Sequence, residues 1–304
     1  MSAQLQSALA EKPAGRVILD EAPEVYYQRD PCVANATGLK IIHSRTPKHF
    51  YHWATHPDFD KRTKALEFGR ALHSATLEPD AFEHTYIVLP EDAPDKPTER
   101  MLNATGKRTP NSQFRIDWWA DFRARTVGKI ELSAEDFDRV RYMGESMRST
   151  PEAAGLLVGG HREATLRWVD EETGVACKAR VDNFDPGERW MMDLKGCVDA
   201  GEPFARASAG YGYDLAAAHY VDGADACGVP VDYFILLACE SEAPYDCVPY
   251  YFGPKEQERG RAIRQRAIRQ QAECLRTGIW PGRARGLTEL TYPTWAFYGI
   301  EEMQ

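Results

Sequence analysis

The sequence lacks any Cys-x-x-Cys pair. Its seven cysteines, at positions 32, 177, 197, 227, 239, 247 and 274, stand singly. That argues against a zinc ribbon and against a four-cysteine iron–sulfur cluster. Several lie inside apolar segments, the pattern of reduced, buried thiols. No apolar run approaches the length of a membrane span, and the opening stretch MSAQLQSALAEKPAGR has no apolar core of the signal-peptide kind. The expected location is therefore cytoplasmic, away from any membrane. Internal repeats and low-complexity tracts are absent too. Ala104-Thr105-Gly106-Lys107 comes nearest to a phosphate-binding loop, but Met101 stands where the upstream glycine belongs and Arg108 where a Ser or Thr would follow. That chemistry is set aside.

Positive charge is scarce. The 304 residues carry 37 Lys and Arg against 46 Asp and Glu, a net charge of −9. Such a balance does not advertise nucleic-acid binding, nor does it exclude it. Only the docking surface must be positive, and acids gathered around a metal count against the total. The length is ample for a buried core, in one large domain or two small ones.

What is present begins weakly. Residues 1–34 hold few periodic signals and are interrupted by Pro13, Pro23 and Pro31, and are read as a partly ordered N-terminal arm ahead of a single domain over residues 35–304. From Ala36 to Trp53 apolar residues recur at helical spacing with a break at Thr46-Pro47, which predicts two short helices. Thr63 to Glu78 predicts a helix ended by Pro79, with Leu66, Gly69, Leu72, His73 and Thr76 on one side. His73 reads either as a core-facing histidine bonded to a carbonyl or as a ligand. Gly69, one turn earlier, would let another backbone or a ligand approach. Ile87 to Leu89 predicts a short strand, and Glu91 to Ser112 a long loop. Gln113 to Arg125 predicts a helix whose Phe114, Trp118, Trp119 and Phe122 suit core or interface, with base stacking as the alternative. Ser133 caps a further helix from Ala134, and Thr150-Pro151 opens another.

The chain is organised around Glu163 to Lys195. Two turns, Asp170–Gly174 and Asp185-Pro186-Gly187, divide this stretch into three strands. Asp193 and Lys195, two apart, share a face. Asp182 lies on the neighbouring strand, where hairpin pairing brings it beside Asp193. Acids and lysines on adjacent strands are commonly a solvated face with cross-strand ion pairs. Here Met191, Met192 and Leu194 surround Asp193 and Lys195, so the strand reads as central. Two carboxylates held close repel unless a divalent cation lies between them, and a lysine beside that cation can hold a phosphate or orient a water. The chemistry suggested is metal-dependent phosphodiester hydrolysis.

Beyond it, Tyr213 to Ala226 predicts a helix, Val231 to Cys239 a buried strand, and Asp246 to Phe252 an edge strand. Lys255 to Arg276 predicts a long helix carrying Arg259, Arg261, Arg264, Arg266, Arg269 and Arg276. That helix suits either a solvated face over a thin apolar stripe or a contact with DNA phosphates or another subunit.

Several segments together, from about Ala36 to Trp295, resemble the RecE-type (exonuclease VIII) branch of the RecB-like PD-(D/E)XK nucleases. They are GRALHSATLEP (Gly69–Pro79), GHREATLRW (Gly160–Trp168), CKARVDNF (Cys177–Phe184), WMMDLKG (Trp190–Gly196), WPG (Trp280–Gly282) and YPTWA (Tyr292–Ala296). The resemblance implies an α/β fold of the restriction-endonuclease type, a central mixed sheet flanked by helices. It implies that His73, Asp182 and Asp193 bind a divalent metal together with the Leu194 carbonyl, and that Glu163 positions a water on the metal or a second ion. Lys195 would orient or help deprotonate that water and contact the scissile phosphate, and Tyr220 would contact substrate. Oxygen ligands with one imidazole suit Mg²⁺ or Mn²⁺, and no other cofactor is implied. The implied activity is double-strand DNA exonuclease action from 5′ ends, leaving 3′ strands for recombination. The implied assembly is a homo-oligomeric ring, tetramer or trimer, with a single-strand annealing protein as partner. A RecB-like repair nuclease of other polarity or substrate, or a weakened DNA-end-binding relative, would keep the same motifs. The sequence departs from the family at Gly196-Cys197, where Thr-Thr is usual, and at Ala216, where the helix bearing Tyr220 usually has glutamine. His219 and Asp214 are the polar residues of that helix able to stand in.

Overall fold

The computed structural model of the protein describes residues 15–56, 64–284 and 286–298. Residues 1–14 of the expected arm, and Thr63 at the expected start of its helix, lie outside them. In chain order the elements used below are β1 (Arg16–Ile18), β2 (Val33–Ala34), α1 (Ala36–Ser44), α2 (Pro47–Thr55), α3 (Lys64–Leu77), β3 (Tyr86–Val88), α4 (Pro110–Arg125), β4 (Ile130–Leu132) and α5 (Ala134–Ser149). They continue with β5 (His161–Val169), β6 (Ala176–Asp185), β7 (Trp190–Cys197), α6 (Glu202–Tyr211), α7 (Tyr213–Ala226), β8 (Tyr233–Glu240), β9 (Cys247–Tyr251) and α8 (Pro254–Thr277).

The sheet that carries the site runs β1-β5-β6-β7-β8-β9, with β2 pairing β6 in parallel. It is mixed and flanked by helices: β5, β6 and β7 form an antiparallel meander, and β8 lies parallel to β7. A parallel neighbour needs a crossover, and α6 and α7 supply it. Both turns of the meander are built by aspartate. The Asp170 carboxylate accepts from the Thr173 amide at 3.0 Å and hydroxyl at 2.7 Å. The Asp185 carboxylate accepts the Gly187 and Glu188 amides, each at 2.9 Å.

Alternation along the strands sorts side chains into two cores. One gathers Leu39, Phe50, Leu215 and Ile268 from the helices against Leu166, Val181, Met191 and Leu236. The other packs Leu72, Val140, Met143 and Met147 against Met192, Leu194 and Leu237. Each such buried side chain contributes about 1.5–3 kcal/mol relative to exposure, so β7 is clamped on both faces. Gly38 seats α1 on α2, because a Cβ there would stand 2.6 Å from the Phe50 ring. A second, two-stranded sheet pairs β3 with β4; β4 was not expected from the sequence. Neither were β1 and β2, too short to show a period, although β1 pairs antiparallel with β5 and so joins residues 16–18 to the main sheet.

Candidate active site

Asp182 and Asp193 stand at the point where β6 and β7 part. The two strands pair from Asp185↔Trp190 to Asn183↔Met192, and the ladder stops there. The next pair in register would be Asp182 and Asp193. Instead the Asp182 carboxylate reaches into the gap and accepts the Leu194 amide proton at 2.7 Å. On the other side, β5 and β6 pair at Arg162↔Asn183 and Ala164↔Val181 but not at Glu163. Glu163 has φ +53°, a left-handed conformation rare for a long side chain and concentrated at functional sites. Arg180, two residues before Asp182 on the same strand face, donates its Nε–H to Glu163 at 2.5 Å and is anchored on the Glu21 carbonyl at 3.2 Å.

His73 comes down from α3 onto this gap. Its Nδ1 lies 3.4 Å from Asp182 Oδ1, and its Nε2 is 3.1 Å from the Leu194 carbonyl. The ligand atoms of His73, Glu163 and Asp182 fall within 4.8 Å of one another. That donor set, one imidazole and two carboxylates with the Leu194 carbonyl alongside, fits a hard divalent cation. Lys195 forms an ion pair with Asp193 and donates to the Leu194 carbonyl at 3.2 Å. Asp193 is thus at the centre but engaged with Lys195, while Glu163 joins His73 and Asp182.

The charges report one shared environment. Burial raises the Asp193 carboxyl and the repulsion of Asp182 adds to it, with Lys195 opposing. Burial also raises Glu163, again with Asp182. For Asp182 burial is outweighed by His73, Lys195 and the Leu194 amide, which hold it low. Burial would lower His73, but the Asp182 carboxylate prevails and raises it. In Lys195 burial is likewise outweighed, by Asp193 and Asp182, so its ammonium is held charged. Burial and mutual repulsion thus raise Asp193 and Glu163, while Asp182, His73 and Lys195 hold one another charged.

Tyr220 lies behind this centre, its ring 5.4 Å from that of Phe234. Burial, then Tyr26, Asp193 and Asp182, push its hydroxyl well above the usual value. Ala216 shares its face of α7 one turn earlier. Neither polar neighbour takes the glutamine's place. His219 is buried with its ring 4.8 Å from Trp168 and its Nε2 3.1 Å from the Lys178 carbonyl, and Asp214 pairs with Arg259. At Gly196 a Cβ would meet Leu72 Cδ2 at 3.2 Å and Met143 Cε at 3.6 Å, so the usual threonine is replaced by core side chains pressed onto the strand. Gly69 has nothing within 4 Å of its would-be Cβ; it faces open space rather than another backbone.

The arginines of α8 mostly serve the fold. Arg264 bridges Asp170 at 2.8 Å and Asp222 at 3.0 Å, Arg269 pairs with Glu172 at 2.5 Å, and Arg276 with Glu273 at 2.5 Å. In α4, Trp119 and Phe122 are buried while Phe114 is exposed, so that stripe is chiefly core.

Sequence reasoning missed residues that ring the site. Tyr27 is half exposed, with the guanidinium of Arg180 6.0 Å and that of Arg70 5.8 Å from its ring centroid. Lys40 of α1 and Lys195 each place an ammonium 5.5 Å from the Tyr213 ring. Arg180, at i−2 from Asp182 in the same strand, could have been found by alternation. Tyr27, Arg70 and Lys40 arrive from distant elements and left no local signal.

A mixed sheet whose splayed strands present two acids and a lysine, under a helix-borne histidine, defines a protein of the PD-(D/E)XK class. The chain belongs to the family of PDDEXK-like domains of unknown function (DUF3799), whose model matches residues 37–290. In fold it is similar to the crystal structure described as “Putative exonuclease” from Eubacterium rectale, with a TM-score of 0.57 at 12% identity, covering 93% of this chain and 99% of that one. No curated protein matches it in sequence. Among the described residues no helix is long and apolar enough to cross a membrane.

Proposed function

We propose that the protein is a Mg²⁺- or Mn²⁺-dependent exonuclease of double-stranded DNA, acting from 5′ ends in the RecE manner and leaving 3′ strands for recombination by annealing. The observation that carries this reading is the convergence of His73, Glu163 and Asp182 within 4.8 Å, beside the Asp193–Lys195 pair. A bound divalent ion would polarise the scissile phosphate and ease ionisation of the attacking water. Asp182, His73 and the Leu194 carbonyl would hold it, with Glu163 or Asp193 completing the set. Lys195 is poised beside the Leu194 carbonyl to orient the water and to neutralise charge developing on the phosphate. A ring around DNA, with a single-strand annealing protein as partner, belongs to the same reading, because a closed ring would keep an acidic protein on its substrate by topology.

Digestion of linear duplex DNA labelled at each end in turn, with and without Mg²⁺ and beside Asp193→Ala, tests it. Loss of the 5′ label in Mg²⁺ by the wild type alone is expected; an equal rate for Asp193→Ala would sink the site assignment. Ala216 favours one second reading, a DNA-end-binding relative with slow chemistry, since neither His219 nor Asp214 reaches the site. Tight binding of duplex ends without product in either metal is the outcome that reading requires.

A further inference from the structure

Lys40 is the cation that the nuclease chemistry does not yet use. It projects from the middle of α1, a helix capped by Asn35 onto the Gly38 amide at 2.9 Å. Its stem runs along the junction of α6 and α7, with Cγ and Cδ 3.5 Å from where a Gly212 Cβ would stand. Its ammonium meets the Tyr213 ring 5.5 Å from the centroid, the same distance as the ammonium of Lys195. Among the described residues no carboxylate pairs with it, and Asp193, the acid that acts on it, is engaged by Lys195. Burial lowers its proton affinity and Lys195 lowers it further.

Two ammonium groups lie against one aromatic ring, and the carboxylate that acts on both, Asp193, is paired with Lys195. A half-buried lysine ordinarily finds an acid or turns outward to water. Lys40 has no such acid among the described residues, and its stem packs against Gly212. A cation so placed is balanced when an anion enters the space it shares with Lys195. A phosphodiester oxygen has the charge and size for this.

Resting on the nuclease reading, we infer that Lys40 binds a phosphate of the substrate strand beside Lys195, so that the strand is held by two lysines, one from the sheet and one from α1. Lys40 is then a positioning residue for the phosphate backbone.

The test uses the full-length protein and a short duplex in Ca²⁺, read by fluorescence anisotropy, with wild type, Lys40→Met and Lys40→Arg. Met keeps the packed stem and removes the charge. Loss of one phosphate contact should weaken binding roughly tenfold and make the slope of log K against log salt shallower by about 0.9; Lys40→Arg should restore both. A merely structural role would not move the salt slope. A single methylphosphonate walked along the strand should cost the wild type affinity at one position to which Lys40→Met is indifferent. If the wild type binds and cuts DNA while Lys40→Met matches its affinity, slope and methylphosphonate profile, the assignment fails by itself. If the wild type neither binds nor cuts duplex DNA in Mg²⁺ or Mn²⁺, the nuclease reading falls and takes this one with it.

Discussion

The Asp182 carboxylate accepts the Leu194 amide proton at 2.7 Å, one residue past the last β6–β7 pair. One oxygen therefore does structural duty in place of a ladder bond, while the other faces His73 at 3.4 Å. The two duties can be separated by substitution. Asp182→Asn keeps an acceptor for the amide and removes the charge. Its melting temperature without metal is expected within a few degrees of wild type. Mn²⁺ at about a hundred times the wild-type Kd should stabilise the wild type by about 2.7 kcal/mol and the variant hardly at all. His73→Ala should show the same loss of Mn²⁺ stabilisation. Scanning calorimetry with and without Mn²⁺ decides it, and an equal drop in both conditions would make His73 a core residue.

Arg264 is buried and holds Asp170 and Asp222. Replacing it by Met strands the Asp170 carboxylate, whose burial would raise its pKa but for Thr173 and Arg264, which hold it low. Breaking such a pair costs about 3–5 kcal/mol. Urea denaturation should show a loss of this size, and Arg264→Met with Asp170→Leu should recover part of it. Full additivity of the two would refute the pairing.

Burial pushes His219 down to about 3, with Arg264 adding to the effect. The folded state keeps this ring neutral while an unfolded histidine takes up a proton below about pH 6.5. Stability from this group is thus complete above pH 6.5 and declines as the pH falls toward 3, by about 1.4 kcal/mol per unit. The melting temperature should drop through that window, and His219→Gln should make the drop shallower. Parallel profiles for the two proteins would contradict it.

Gly196→Thr introduces the residue usual in the RecE-type nucleases that the sequence resembles, yet it should harm this protein. With Leu72 3.2 Å from the new Cβ, overpacking of about 1–3 kcal/mol is expected. Gly196→Thr with Leu72→Ala should regain stability relative to Gly196→Thr alone. A neutral single variant would show that Leu72 can move aside.

Most of the fold was legible because it is written in local signals. The meander announces itself through Asp-Pro-Gly and Asp-Glu-Glu-Thr-Gly turns and two-residue alternation, and α3 through its 3.6-residue period and closing proline. Asp182, Asp193 and Lys195 could be placed near one another because they flank the turn that joins β6 and β7, although the strand pairing itself stops one pair short of Asp182 and Asp193. Their division of labour could not be read so directly. That Glu163 approaches His73 and Asp182 follows from its left-handed φ, and that Asp193 is engaged by Lys195 follows from packing. The arginines of α8 could be read only as a solvated face or a contact surface, because most of the acids they meet, Asp170, Glu172, Asp214 and Asp222, come from other elements and are paired with them only in space.

β1 covers only Thr165 to Arg167 of a nine-residue β5, yet it is held there firmly. Glu21 just beyond it pairs with Arg167 at 2.8 Å, and Lys178 Nζ donates to the Gln28 carbonyl at 2.7 Å. Stripped of this segment, β5 would present unpaired amides and carbonyls at Thr165 to Arg167, the kind of edge on which a second chain can add itself as a strand. The three residues of β1 thus occupy part of an edge on which a strand of another chain could otherwise pair.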